Sequence, residues 1–260
     1  HGPRLFITYR KRRRSKDLLS RLRKINSDLK IELIHCDFSD QLSIRKAAAE
    51  INLQTKEIDV LINNAGVFNN KYHETLEGIE NTFAVNHLGY FLFTNLLLKK
   101  MKSHQETRII NVASEAHESL DKLNWEDMNF YKNYGEGINA YAQSKLSNLM
   151  FTKLLSLKVI RSNISVNALH PGVVSTGIGD QNRSYLGKIA KLFLVAPFSQ
   201  SSKDGAASII YLSTEDYAFV TGEYFIDCKR AEASSYSQDL SEAKKLWDLS
   251  EKLVGEKFSF

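Results

Sequence analysis

The chain has 260 residues, 43% of them hydrophobic and 25% charged, enough to bury a substantial core in a single domain with nothing resembling an interdomain linker. Thirty-five Lys and Arg against 30 Asp and Glu leave a formal charge of +5, a modest excess, and no apolar run approaches the ~20 residues needed to span a bilayer. Three prolines exclude a proline-rich linker, seven histidines without ligand spacing argue against a metal site, and Cys36 and Cys228, both inside apparent strands, read as reduced thiols in a reducing compartment rather than as a disulfide.

In chain order, strands are predicted near 4–9, 31–36, 58–62, 107–113, 164–169 and 223–226. Helices are predicted near 16–26, 40–55, 74–101, 139–161, 185–195, 202–213 and 239–253. Strand and helix alternate, the pattern of an α/β fold with a parallel sheet covered on both faces; right-handed crossovers narrow it to a doubly wound, Rossmann-like topology. Ligands in such sheets bind outside the carboxyl ends of the strands.

The first strand runs directly into Arg10-Lys11-Arg12-Arg13-Arg14. A solvated helix start is the plainest reading of that run, and a nucleic-acid reading lacks interleaved aromatics. After the second strand comes Cys36-Asp37-Phe38-Ser39-Asp40, where Asp40 is the better N-cap for the next helix. The third strand enters Asn63-Asn64-Ala65-Gly66, a tight turn of small residues that lets a ligand approach the backbone. Asn86 lies inside a long apolar helix, and Ser114 closes the run Ile109-Ile110-Asn111-Val112-Ala113. Tyr141 and Lys145 are four residues apart, so on a helix they share one face; a lysine cation near the phenol lowers its pKa toward neutrality. Ile164 to His170 is stopped by Pro171-Gly172-Val173-Val174, and Tyr185 to Phe198 reads as an amphipathic helix beside the same sheet end.

Taken together, these motifs resemble the short-chain dehydrogenase/reductase superfamily over about residues 3 to 255. The closer likeness is to the retinol dehydrogenase group, which includes the oxidoreductase domain of the WW-domain proteins. It is carried by Val85-Asn86-His87-Leu88-Gly89-Tyr90-Phe91-Leu92-Phe93-Thr94, by Asn124-Trp125-Glu126-Asp127 in the long interval before Tyr141, and by Gly222 to Cys228 with Leu246-Trp247-Asp248-Leu249-Ser250 beyond it. The resemblance implies that Tyr141 transfers a proton, Ser114 donates to a substrate carbonyl, Lys145 tunes the tyrosine and binds ribose, and Asn86 supports a water relay. It further implies an NADP cofactor. Arg10 would contact the 2′-phosphate, leaving Arg12 to Arg14 solvent-facing; Asp37 would meet adenine, with Asn63, Ala65 and Gly66 on the adenosine side; Pro171, Gly172, Val174 and Thr176 would meet the nicotinamide.

The expected activity is an NADP(H)-dependent interconversion of a lipophilic alcohol and its aldehyde or ketone, retinoid-like, with the 185–198 segment over the pocket. Steroids and fatty aldehydes are alternative substrates. A non-catalytic interaction scaffold or inactive paralogue keeping the fold is the alternative of another class. No nucleic-acid partner is expected. One part of the family pattern is missing: no Gly-rich turn feeds the first helix, and His1 to Arg10 resembles the family's second strand. Residues 1–260 therefore read as a single dinucleotide-binding domain, N-terminally incomplete by a strand, turn and helix. That piece could carry a membrane anchor, with the endoplasmic reticulum and the mitochondrion both open, and a homo-oligomer is compatible with the family.

Overall fold

The computed structural model describes residues 4–101, 106–172, 202–215 and 220–258. Strands β1 (Arg4–Tyr9) and β2 (Lys30–His35) pair in parallel, with Arg4 opposite Lys30 and Tyr9 opposite His35, and α1 (Arg12–Ile25) makes the crossover. A second ladder runs β3 (Val60–Asn63), β4 (Thr107–Val112), β5 (Ile164–His170), β6 (Tyr224–Ile226) and β7 (Lys229–Ala231). Pairing is parallel from β3 to β6 and antiparallel between β6 and β7. Between these strands lie α2 (Gln41–Gln54), the helical run Asn81–Met101, α5 (Ile138–Lys158) and α6 (Ser202–Thr214), and α7 (Leu240–Val254) closes the chain.

Alternation along β4 and β5 builds two cores. Ile109 and Val166 face a large apolar cluster with Phe91, Leu146, Phe151 and Trp247 from the helices, whereas Ile110 and Leu169 face a smaller cluster with Leu212 of α6 and Phe225 of β6. Both faces of the sheet are therefore covered. That is why β5 is buried along its whole length, although Ser165, Asn167 and His170 stand among its apolar residues.

Two features depart from the sequence expectation, and a third is in keeping with it. The helix predicted from residue 74 begins at Asn81, because Thr75 to Ile79 close a turn (Thr75 N–H to Ile79 O, 2.9 Å) and Glu80 supplies the cap: its carboxylate accepts from the amides of Thr82 and Phe83 at 2.8 and 2.7 Å. The run is then divided into α3 (Asn81–Phe83), a π-helical turn (Ala84–Leu88) and α4 (Gly89–Met101). Second, β7 adds an unforeseen antiparallel edge. It returns through the two-residue turn Asp227-Cys228, with φ values of 47° and 61°, so Cys228 sits in a hairpin turn and not in a strand. Third, no ladder among the described residues joins β1 to β3; each is bonded on one side only, to β2 and β4 respectively.

Helix α5, which carries Tyr141 and Lys145, starts at a left-handed Gly137 with φ of 75°. A Cβ there would collide with the carbonyl oxygen of Asn69 and lie 3.1 Å from the Tyr134 ring. Gly135 has φ of 55° but meets only Asn133 Oδ1 at 3.9 Å. Gly137→Ala is accordingly expected to cost about 3 kcal/mol or more and to lower the melting temperature by several degrees, against about 1 kcal/mol for Gly135→Ala. Equal melting temperatures for the two variants would show that the Asn69 contact yields at no cost.

Candidate active site

The carboxyl ends of β3, β4 and β5 and the first turns of α5 meet in one place. Ser114 follows the end of β4 with one residue, Ala113, between them and caps a 3-10 turn, Glu115–Ser119; its Oγ accepts the Ala116 amide at 3.2 Å, which leaves the hydroxyl proton free to point elsewhere. One such direction is Tyr141, whose phenol is favoured toward ionisation by a hydrogen bond from Ser114. One helical turn on, Lys145 is buried, and its Nζ donates to the Val112 carbonyl at 2.8 Å while lying 5.6 Å from the Tyr141 ring centre. Tyr141 and Lys145 do share a face, as i and i+4 residues must.

Electrostatics departs from the expectation. Desolvation pushes Tyr141 up to about 12, only partly opposed by the Ser114 bond, and pushes Lys145 down to about 7. Lysine does not lower the tyrosine here because its ammonium is directed to a backbone carbonyl of β4 and is itself starved of solvent.

Asn86 occupies the centre of the π-helical turn and is fully buried. Its Oδ1 accepts the Val67 amide at 2.8 Å, and its Nδ2 donates to the Val67 carbonyl and to Ser144 Oγ, both at 3.0 Å. One side chain thus ties the β3 loop to α5. Gly66 lies within that junction: a Cβ there would come 3.5 Å from Asn86 Oδ1 and 3.9 Å from Lys145 Nζ.

The other predicted residues take places around this junction. Arg10 is exposed at the end of β1, just before α1, whose N-terminus has no side-chain cap. Asp37 lies just after β2, where its Oδ1 accepts from the amide and hydroxyl of Ser39 at 3.0 and 2.7 Å, while Asp40 caps α2 through the amides of Leu42 and Ser43. The Asn63 side chain turns inward, donating to Thr94 Oγ1 at 2.9 Å and Asn111 Oδ1 at 2.8 Å, so its backbone alone is left toward the strand end. Ala65 and Gly66 are half-buried in the loop after β3, and Pro171 and Gly172, with φ of 76°, come directly after β5. Val174, Thr176 and the 185–198 segment lie outside the described residues. The described residues contain no cluster of three or more metal-ligating side chains and no helix long and apolar enough to cross a membrane.

Two neighbours of the site carry no motif in the sequence. Phe68 packs its ring edge-on to Tyr141, with centroids 5.7 Å apart, and its position is held by the Asn86 bonds to Val67 on one side and by Asn69 on the other, whose carbonyl accepts the Tyr134 hydroxyl at 2.9 Å. His117, three residues after Ser114, is fully buried. Only the i, i+3 spacing from Ser114 could have pointed to it.

A sequence family described as enoyl-(acyl carrier protein) reductase matches residues 1–227. Retinol dehydrogenase 14 of Mus musculus is 36% identical over 266 residues, covering 98% of this chain and 79% of that protein. Retinol dehydrogenase 12 of Homo sapiens is 34% identical over 255 residues, covering 98% and 79%. Among solved structures, an uncharacterised protein from Mycobacterium paratuberculosis superposes with a TM-score of 0.75 at 26% identity, over 98% of this chain and 85% of that one. A short-chain dehydrogenase from Burkholderia cenocepacia J2315 in complex with NADP superposes at 0.67 with 20% identity, over 86% and 85%. With its ordered serine, tyrosine and lysine at the carboxyl ends of a doubly wound sheet, and with relatives this similar along nearly its whole length, the chain belongs to the short-chain dehydrogenase/reductase family of oxidoreductases acting at CH–OH carbons.

Proposed function

We propose that this protein interconverts a lipophilic alcohol and its aldehyde or ketone with NADP(H), a retinoid-like molecule being the substrate type. The observation that carries the reading is the meeting of Ser114, Tyr141, Lys145 and Asn86 at one sheet end, the side where such folds bind ligands. The Ser114 hydroxyl, free to donate, can bond a carbonyl oxygen and stabilise the negative charge that develops there. Tyr141, protonated at neutral pH, is the acid that delivers a proton to that oxygen in reduction and receives it back in oxidation. Buried Lys145, with a single backbone partner among the described residues, can turn its other donors to the ribose hydroxyls of a cofactor.

In this reading Gly66, in the loop after β3, borders the adenosine side, Lys145 meets the nicotinamide ribose, and Pro171-Gly172, directly after β5, meets the nicotinamide. At the other half, exposed Arg10 and the uncapped N-terminus of α1 favour a 2′-phosphate, and Asp37 stands at the end of β2 near them. The described residues offer no Gly-rich turn for the pyrophosphate. When bound, the dinucleotide gives or takes the hydride. Solved relatives in complex with NADP and NADPH support this cofactor choice, and relatives called retinol dehydrogenases support an apolar substrate, as does the Phe68 ring beside Tyr141.

Turnover of NADPH with a series of aldehydes tests the proposal in the native protein. Longer apolar aldehydes are expected to give the higher kcat/KM, and Tyr141→Phe to lower turnover by about 100-fold or more while NADPH affinity stays within a few-fold. A preference for sugars or small polar ketones would overturn the substrate class; near-parental rates in Tyr141→Phe would overturn the chemistry. Arg10→Asp should weaken NADPH much more than NADH, since a carboxylate repels the 2′-phosphate but accepts from a ribose hydroxyl. Equal weakening of both would remove Arg10 from cofactor choice.

Lys145 adds a pH-dependent term to stability. Its folded pKa, about 7, lies below the ordinary 10.5, so between those values the unfolded chain holds a proton that the folded protein lacks, and stability rises with pH across that window. Urea midpoints at pH 7 and pH 9 should show this rise, and Lys145→Met should flatten it by at most about 1.4 kcal/mol per pH unit. An unchanged slope in the variant would mean that Lys145 stays charged when folded.

A further inference from the structure

We infer that His117 is a positioning residue that clamps the backbone of Ser114 and braces it against the C-terminal segment through Ser234. Both ring nitrogens have partners that fix its tautomer. Nδ1 lies 2.7 Å from the Ser114 carbonyl oxygen, which can only accept, so Nδ1 carries the hydrogen. Nε2 then holds a lone pair, and it accepts the Ser234 amide at 3.3 Å. The ring is fully buried, edge-on to Tyr224 with centroids 5.3 Å apart, and desolvation keeps it neutral by lowering its pKa.

The Ser114 carbonyl receives two donations from one residue, the His117 amide at 3.2 Å and the ring at 2.7 Å, while the serine Oγ accepts from Ala116. Side chain and backbone are therefore fixed separately, and the direction in which the hydroxyl proton can point is set by the 3-10 turn that His117 closes. A displacement of about 1 Å in such a group can cost on the order of 100-fold in rate.

Ser234 lies beyond residues 1–227, the span matched by the enoyl-(acyl carrier protein) reductase description, although the retinol dehydrogenase relatives match 98% of the chain. The segment bringing it there is anchored independently: Trp125 Nε1 donates to Tyr236 Oη at 3.1 Å and to Glu242 Oε2 at 2.5 Å, Tyr236 also donates to Glu242, and Lys245 Nζ lies 4.0 Å from the Trp125 ring centre. The far end of the chain thus supports the residue placed to face the carbonyl. This inference rests on Ser114 having that role.

The test uses the native protein with NADPH and nonanal. His117→Ala should lower kcat about 10-fold or more with NADPH affinity within about two-fold. His117→Asn, whose Nδ2 can replace the donor to the Ser114 carbonyl, should recover most of the loss. Ser234→Pro removes the amide hydrogen, together with an Oγ that has no hydrogen-bond partner among the described residues, at a residue whose φ of −53° suits proline, and should lower kcat by a smaller factor without loss of folded protein. On a Ser114→Ala background, His117→Ala should cost little more, because the group it positions is gone. Full additivity on that background, an Asn variant no better than Ala, or a parental kcat in His117→Ala would each overturn the role. The Tyr141→Phe control keeps the readings apart: a dead Tyr141→Phe beside a fully active His117→Ala sinks the clamp alone, whereas an active Tyr141→Phe sinks the proposed chemistry.

Discussion

One buried amide holds the site together. Asn86 satisfies a donor and an acceptor of Val67 and reaches Ser144 on α5, so the loop after β3 and the helix bearing Tyr141 and Lys145 are fixed to each other through a single side chain. Without it, Val67 would leave two backbone groups without these partners, each costing on the order of 1–3 kcal/mol when buried. Phe68 is aimed by the same bonds, since its neighbour cannot move. Geometry at Tyr141 is therefore inherited from a residue on another element.

A second polar chain runs under this junction. Asn63 donates to Thr94 and Asn111, and Asn111 donates to Thr152 at 2.9 Å, which joins β3, β4, α4 and α5 through buried side chains. Apolar packing alone would hold these elements together while tolerating small slips; hydrogen bonds of fixed geometry specify one register. The placement of Asn63 also explains why a residue at the strand end turns away from the ligand side. Its neighbours in the sheet needed it more.

Much of this is legible in the sequence. Alternating apolar strands and longer helical patterns locate every parallel strand to within two residues, because a sheet covered on both faces demands apolar runs. Asp40 reads as the cap of α2 from its place before a helix, and the Ser114, Tyr141 and Lys145 spacing puts three residues at one sheet end. What escapes is set by partners distant in sequence. Glu80 begins its helix late through a cap that composition does not single out, and β7 depends on two non-glycine residues accepting positive φ values. The phenol's pKa is misread for a related reason. Spacing tells which face Lys145 shares with Tyr141, but only the fold reveals that a β4 carbonyl captures its ammonium.

The π-helical turn at Ala84–Leu88 has a consequence for how this chain can vary. Such a turn accommodates one residue more than an α-helix would over the same length. Losing a single residue there would let the helix relax into regular geometry, a local gain in hydrogen bonding. It would also rotate the residues before the deletion by about 100° relative to those after it, swinging either Asn86 or the apolar face of α4 out of register. The segment is thus a place where backbone regularity and the chemistry of the site pull in opposite directions, and where a length change that leaves the fold recognisable would still disturb either the tie between the β3 loop and α5 or the packing of α4.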